Sequence, residues 1–348
     1  MKYAILFIAK GGKKMDDLLD ALLFNAIKQE VSDIHILFQN GVCNFYFRLK
    51  KELIFYKQLS LIEGQHFVNR VKFQAKMDLN YLQKPCTGQF SYELNNVLYC
   101  FRVSNIPTKQ GDNLVIRILN NKKKRKLQDL SPQKEAIAYL EKITHYDSGL
   151  ILINGSPGQG KSTTLHALLE EIYDRNPLNI ITIEDPIEIE EKNFIQMQMR
   201  FDQNFDEQKA LQQILRHDPD IIMIGEIRDE RSAALATRCA LSGCLTLSTI
   251  HASSCIQTIY RMLNLGVNTF DLEEVLKGVL SQRLIYSNTR GTFAVFEWLN
   301  YTQIKSWFTS KEGEYLRFID RIEESIKKHE VQKEDFDESE FKELLASY

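Results

Sequence analysis

The sequence of 348 residues contains no Cys-x-x-Cys pair among its six cysteines, which are Cys43, Cys86, Cys100, Cys239, Cys244 and Cys255. Zinc modules and redox-active dithiols depend on closely spaced cysteines, so the sequence predicts neither, and no zinc is expected. The cysteines lie among apolar neighbours, which favours reduced thiols in a protein core.

Long hydrophobic runs and an excess of one charge are also missing. No apolar run approaches the roughly 18 residues that are needed to span a bilayer. The 44 basic and 46 acidic side chains give a formal net charge of -2. Because there is no net positive field to hold a polyanion, direct binding of nucleic acid is not expected.

The amino-terminal half is predicted to be an α+β domain over residues 15–119. Helical spacing of leucines and alanines extends from Asp16 to Glu30, and a second helix is expected from Leu61 to Ala75. The strand-like runs are Asp33 to Phe38, Val42 to Leu49, Gln89 to Glu93, Val97 to Ser104 and Asn113 to Leu119. Met15 directly precedes the first helix, so residues 1–14 remain open as a non-native extension.

The second half is predicted to be an α/β domain. Residues 120–133 are expected to form a basic linker, because the run from Asn120 to Lys126 is too charged for a core. Over residues 134–270, short apolar runs alternate with helical stretches, which is typical of a largely parallel sheet covered by helices. Residues 271–348 are expected to form a helical region that ends in a charged tail.

A glycine-rich loop carries the strongest functional signal. It reads Gly155-Ser156-Pro157-Gly158-Gln159-Gly160-Lys161-Ser162 and fits G-x-x-x-x-G-K-[ST] in full, between an apolar strand and a helix. Backbone N–H groups of such a loop point at phosphate oxygens, and the helix that follows adds its positive end. The motif predicts binding of ATP by these eight residues and Thr163, with Lys161 at the phosphates and Ser162 as a ligand of Mg²⁺.

Three further polar positions follow predicted strands. Glu226 ends a β-branched strand, where a Walker B carboxylate would reach Mg²⁺. Glu184, Asp185 and Glu188 form an acidic loop in which one carboxylate would activate the attacking water. His251 is either a sensor of the γ-phosphate, a partner of a catalytic acid, or a structural histidine.

The order of these motifs resembles the GspE/PulE family of secretion ATPases, which drive type II secretion systems, type IV pili and competence pseudopili. The similar segments are the glycine-rich loop, an Asp box at Ile181 to Glu188, a Walker B motif at Ile221 to Asp229, and a His box at Leu247 to Ser254. The resemblance implies a RecA-like P-loop NTPase domain preceded by a small, PAS-like α+β domain.

By the same resemblance, Glu188 would be the water-activating acid, Glu226 the Walker B acid and His251 a coupling histidine. Arg102 and Arg117 would approach the phosphates from the amino-terminal domain. Residues 285–296 contain no cysteine, unlike the tetracysteine zinc module of many family members. This short form resembles the ComG-type competence ATPases of Gram-positive bacteria more than the long secretion ATPases.

The implied protein is a cytoplasmic ATPase, peripheral at the inner face of the cell membrane. It would form a homo-oligomer, expected to be a hexameric ring, and work with an inner-membrane platform protein to assemble a competence pseudopilus for DNA uptake. Two alternatives remain open: a type II secretion or pilus motor ATPase, and a DNA-stimulated RecA-like nucleic-acid motor.

Overall fold

The computed structural model describes residues 2–49, 52–77, 84–95, 97–119, 125–185, 187, 189–198, 207–287, 290–310 and 315–336. Contacts within the chain divide it into two compact units, residues 1–122 and residues 123–348. The division falls within the basic segment that was expected to be a linker.

The amino-terminal unit is an antiparallel sheet with two helices packed on one face. Its described strands are β1 (Asp33–Gln39), β2 (Val42–Leu49), β3 (Glu52–Ser60), β4 (Cys86–Leu94), β5 (Val97–Thr108) and β6 (Gly111–Leu119). These six pair in the order β3-β2-β1-β6-β5-β4. The helices are α1 (Lys2–Lys28) and α2 (Leu61–Gln74). The predicted α+β character of this unit is confirmed, while its description as PAS-like stays a prediction.

The core of this unit lies between the sheet and its helices. Leu23 of α1, Phe67 of α2, and Ile34 and Ile116 of the sheet are completely buried. Each such side chain contributes about 1.5–3 kcal/mol relative to an exposed one. Ser60 begins α2, because its hydroxyl accepts a hydrogen bond from the backbone N–H of Glu63.

Strand β3 was not predicted from the sequence. It lies at the edge of the sheet, and Leu53, Ile54 and Phe55 are all exposed. Alternation of buried and exposed residues arises only where one face of a strand is covered, so β3 has no such signature.

The carboxy-terminal unit contains a mixed sheet covered on both faces. The strands described here are β7 (Gly149–Asn154), β8 (Ile180–Glu184), β9 (Ile195–Gln198), β10 (Ile221–Ile227), β11 (Leu245–Ile250), β12 (Leu276–Ser287) and β13 (Gly291–Asn300). These seven have the order β13-β12-β7-β11-β10-β8-β9, with only the β12–β13 pair antiparallel. The predicted parallel arrangement over residues 134–270 is therefore confirmed.

The helices of this unit bury its sheet in two large clusters, one on each face, and Phe318 and Ile322 form a third, smaller cluster with β12 and β13. The described α-helices of this unit are α3 (Lys134–Ile143), α4 (Lys161–Arg175), α5 (Glu207–Leu215), α6 (Glu230–Leu241), α7 (Cys255–Asn264), α8 (Thr269–Val275), α9 (Tyr301–Ser310) and α10 (Phe318–Lys327). The parallel strands between these layers are almost continuously apolar, as expected for strands that are buried on both faces.

The expectation that residues 271–348 are helical is wrong for β12 and β13. Strand β12 pairs with β7 on one side and with β13 on the other, so it lies inside the sheet. Because almost all of β12 is buried, its apolar residues do not alternate, and a short apolar run of this kind is easily mistaken for a helix. The predicted charged tail lies largely outside the described residues, since 337–348 are not described.

A buried carboxylate connects this hairpin to two helices. Glu297 of β13 is fully buried and accepts hydrogen bonds from the backbone N–H of Cys255 at 2.8 Å and of Phe318 at 2.9 Å. These N–H groups begin α7 and α10, where helices leave donors unpaired and favour negative charge.

Candidate nucleotide-binding site

The glycine-rich loop connects β7 to α4 and depends on glycine at defined positions. Gly155, Gly158 and Gly160 have positive φ angles of 148°, 78° and 79°. A Cβ atom at Gly155 would lie 2.5 Å from the carbonyl oxygen of Gln282, so a side chain does not fit there. Gly160 is the residue before α4 and takes the left-handed conformation. Because glycine has no side chain, it gives the first N–H groups of the helix no side-chain cap.

Lys161 begins α4 and points back into the loop. Its Nζ donates hydrogen bonds to the carbonyl oxygens of Gly155 at 2.7 Å and of Ser156 at 3.0 Å, and the residue is 8% exposed. Ser162 and Thr163 follow in the first turn and are partly exposed. The predicted loop residues thus include a cation that is hydrogen-bonded to the backbone of the same loop.

Gln282 of β12 supports the loop from outside the motif. Its side-chain oxygen accepts a hydrogen bond from the Thr164 hydroxyl at 2.8 Å, and its Nε2 donates to the carbonyl oxygen of Gln159 at 2.7 Å. The side chain of Gln159 in turn accepts a hydrogen bond from the backbone N–H of Leu284. Gln282 was not among the predicted site residues, because its contacts with the loop join positions that are far apart in the sequence.

His251 brings the predicted Walker B acid and the loop together. Its Nε2 lies 2.5 Å from Oε1 of Glu226, and its Nδ1 lies 3.0 Å from the carbonyl oxygen of Gly155. Strands β10 and β11 are neighbours, and the irregularity between Ile224 and Ile227 falls at the position of Glu226. A carbonyl oxygen and a carboxylate both accept hydrogen bonds, so each ring nitrogen of His251 faces an acceptor.

The second carboxylate oxygen of Glu226 pairs with the Nε of Arg228. Glu226 therefore lies between His251 and Arg228, while its side chain remains 19% exposed. This acid is held in place and still accessible, as a group that contacts a bound ion must be.

The acidic loop is divided between buried and exposed members. Glu184 is 5% exposed and accepts hydrogen bonds from the Thr182 hydroxyl at 2.7 Å and from the Gln196 side chain at 3.1 Å. Asp185 is exposed. Glu188, the predicted water-activating acid, lies outside the described residues.

Arg102 and Arg117 lie in the amino-terminal unit, directly opposite each other on β5 and β6. Both are exposed on the sheet face away from the helices. The Nε of Arg117 donates to the buried carboxylate of Asp33 at 2.7 Å. Asp33 is also paired with Arg48 in the strand register, so a row of three arginines and one aspartate crosses the sheet.

A family model described as "Type II/IV secretion system protein" matches residues 9–311 of the chain. The chain belongs to this family. Among curated proteins similar to this secretion-family chain, Competence protein ComGA of Halalkalibacterium halodurans is 36% identical over 267 residues, which cover 76% of each chain. Type II secretion system protein E of Aeromonas hydrophila is 36% identical over 273 residues, which cover 77% of this chain and 54% of that protein. The chain thus matches about half the length of the type II relative.

Solved structures of secretion and pilus ATPases share the architecture. The pilus retraction motor PilT with bound ADP is 25% identical with a TM-score of 0.71, covering 90% of this chain and 94% of PilT. The ATPase DotB of Legionella pneumophila is 18% identical with a TM-score of 0.68, covering 95% of this chain and 96% of DotB, and shows the fold alone. This type II/IV secretion protein is an ATP hydrolase with an α/β fold. The RecA-like assignment stays a prediction.

In the described part of this secretion ATPase, no group of three or more His, Cys, Asp or Glu side chains could hold a metal ion. This does not bear on Mg²⁺ at a nucleotide, because that ion takes few protein ligands and most of its oxygens from phosphates and water. None of the described helices is both long enough and apolar enough to cross a membrane.

Proposed function

We propose that this chain hydrolyses Mg-ATP to power assembly of a competence pseudopilus. The observation that carries the catalytic part is the bridge formed by His251, which contacts both the glycine-rich loop and Glu226. Because His251 connects Glu226 to the loop, a phosphate group bound in the loop would change the contacts of Glu226.

The loop from Gly155 to Thr163 is the proposed nucleotide site. Its positive-φ glycines, the uncapped start of α4 and the nearly buried Lys161 fit a phosphate group. Ser162 and Glu226 would hold Mg²⁺, which when bound neutralises phosphate charge. Lys161, which has carbonyl partners in the loop, would transfer its hydrogen bonds to phosphate oxygens.

Hydrolysis itself needs a base for water and cations for the developing charge. We assign the first role to Glu188 and the second to Arg102 and Arg117. The exposed pair of arginines in one strand register supports this assignment. Asp33 pairs with Arg117, and a phosphate anion beside Arg102 would offset the remaining repulsion between the two cations.

The assignment to competence rests on the similarity to ComGA, which extends over three quarters of both chains. The proposed protein works in the cytoplasm as a ring of identical subunits, expected to be a hexamer. It would act at the inner face of the membrane through a platform protein. A type II secretion role is a second candidate, because the identity to the Aeromonas hydrophila protein is equally high.

Steady-state ATPase activity, measured against protein concentration with and without DNA and alongside native mass, tests this function. We expect the ATPase activity to rise with assembly and to stay unchanged when DNA is added. Stimulation by DNA would contradict it and favour a nucleic-acid motor, although the net charge of -2 argues against such a motor. Deletion of the gene with scoring of both transformation and protein secretion separates the competence role from the secretion role.

A further inference from the structure

A buried charged cluster includes His166 of α4, the helix that follows the glycine-rich loop. His166 of α4 faces two carboxylates, with Nε2 3.8 Å from Oε2 of Glu184 and Nδ1 3.6 Å from Oε1 of Glu191. The three residues are 4%, 5% and 8% exposed, respectively. Glu184 ends β8 and Glu191 precedes β9. The cluster therefore joins α4 to both ends of the segment from Glu184 to Glu191, which contains the acidic loop.

The cluster is held together by charge. Both separations are longer than a hydrogen bond, so an ion pair is the attraction that they support. Burial lowers the pKa of His166, but the contacts with Glu184 and Glu191 outweigh burial and raise the pKa to about 9. Two buried carboxylates repel each other, and a cation between them offsets that repulsion.

The same acids are tied to the neighbouring strands through Gln196 of β9. Its Nε2 donates to Glu184 and, at 2.8 Å, to the carbonyl oxygen of Ile189. Its Oε1 accepts a hydrogen bond from the backbone N–H of Glu191 at 2.6 Å. Gln196 therefore fixes the loop to the sheet. His166 contacts it from α4, and Tyr173 of the same helix contacts it at Phe194.

We propose that His166, as an imidazolium, is a positioning residue that holds the acidic loop against the nucleotide-binding helix. His166 lies one helical turn after Ser162, and the sequence between Glu184 and Glu191 contains Glu188. Resting on the hydrolytic role proposed above, the cluster couples Glu184 and Glu191 to α4, the helix that begins at Lys161. Loss of the cation would therefore slow turnover more than it weakens nucleotide binding.

The test uses the full chain with saturating ADP and compares H166Q with H217Q, which changes an exposed histidine of the same unit. Hydrogen exchange of residues 189–198 is expected to rise about tenfold in H166Q and to stay unchanged over β10. The turnover number should fall about tenfold while the Kd for ADP stays within about twofold. H166K restores a cation and should recover part of both effects. E191Q, which removes one carboxylate of the cluster, should raise exchange in the same segment.

Unchanged exchange at residues 189–198 in both H166Q and E191Q would overturn the proposal. Raised exchange with a wild-type turnover number would overturn it too, because the cluster would then be only structural. Equal losses in H166Q and H166K would contradict a role for the charge. An inactive wild-type chain would instead reject the proposed motor, and the exchange measurement would still decide whether His166 holds the loop.

Discussion

The Thr164 hydroxyl donates a hydrogen bond of 2.8 Å to the side chain of Gln282, across 118 residues of sequence. This contact attaches the first turns of α4 to β12. Gln282 also holds the carbonyl oxygen of Gln159, so one amide group sets the spacing between the loop and its helix.

Replacement of Gln282 should therefore weaken the nucleotide site. Q282L leaves the buried Thr164 hydroxyl and the Gln159 carbonyl without this partner, at a cost of about 1–3 kcal/mol in the free energy of unfolding. Affinity for ADP should fall about tenfold, because the loop loses its support. Urea unfolding and nucleotide titration measure the two effects, with Q257L at an exposed site as the control. Wild-type affinity in Q282L would show that the loop keeps its conformation unaided.

Removal of the His251 bridge should affect turnover. In H251A, Glu226 loses a neighbour at 2.5 Å and the contact to Gly155 disappears. We expect the turnover number to fall about 10–100-fold, with nucleotide binding nearly intact. Single-turnover kinetics and ADP titration separate the two effects. If nucleotide affinity and the turnover number decline together, His251 maintains the conformation of the loop and has no separate role in hydrolysis.

The arginines of the amino-terminal unit offer a third test. R117Q should slow hydrolysis about tenfold or more with little change in ATP binding, because its cation acts on developing charge. D33N, which weakens the hold on Arg117, should produce a smaller loss in the same direction. R70Q is a matched control, because Arg70 pairs with Asp16 instead. Unchanged turnover in R117Q would remove this residue from the site.

The His166 cluster predicts a pH dependence of stability. The pKa of His166 is about 9 in the folded protein and 6.5 for the unperturbed side chain, so folding favours the protonated form. Its contribution, about 3 kcal/mol at most, is complete below pH 6.5 and is lost as the pH rises through 9. The free energy of unfolding, measured by urea titration from pH 6 to 9.5, should show this decline in the wild type and less of it in H166Q. Parallel profiles would contradict the assignment.

Glu297 is expected to matter for stability alone. E297Q keeps the shape of the side chain but removes the charge that faces the starts of α7 and α10. The free energy of unfolding should fall by about 1–3 kcal/mol, while the Kd for ADP is unchanged. E323Q, at an exposed position of α10, serves as the control. A loss no larger than that of E323Q would mean that the charge contributes nothing.

Local patterns predicted much of this molecule. The glycine-rich loop was identified correctly as a strand-to-helix turn, because its glycines and its flanking apolar strand are signals within one short stretch. The parallel strands were also predicted, since β7, β10 and β11 are short apolar runs between helices. Helix α2 was predicted close to its observed bounds.

The missed features depend on contacts that are distant in sequence. Strand β12 is defined by pairing with β7, and the roles of Gln282 and His166 arise from neighbours brought close only by folding. A histidine in a helix carries no local sign that two buried carboxylates will face it. Glu188 stays a prediction, because it lies outside the described residues.

Strand β12 also limits how the chain can be shortened. A truncated chain that ends at residue 275 would keep the whole glycine-rich motif and every predicted catalytic acid. It would nevertheless lose the strand that covers one edge of β7 and the amide of Gln282 that steadies the loop. An exposed edge of a buried, apolar strand promotes aggregation. Such a fragment should therefore precipitate rather than bind nucleotide, although its sequence motif is intact.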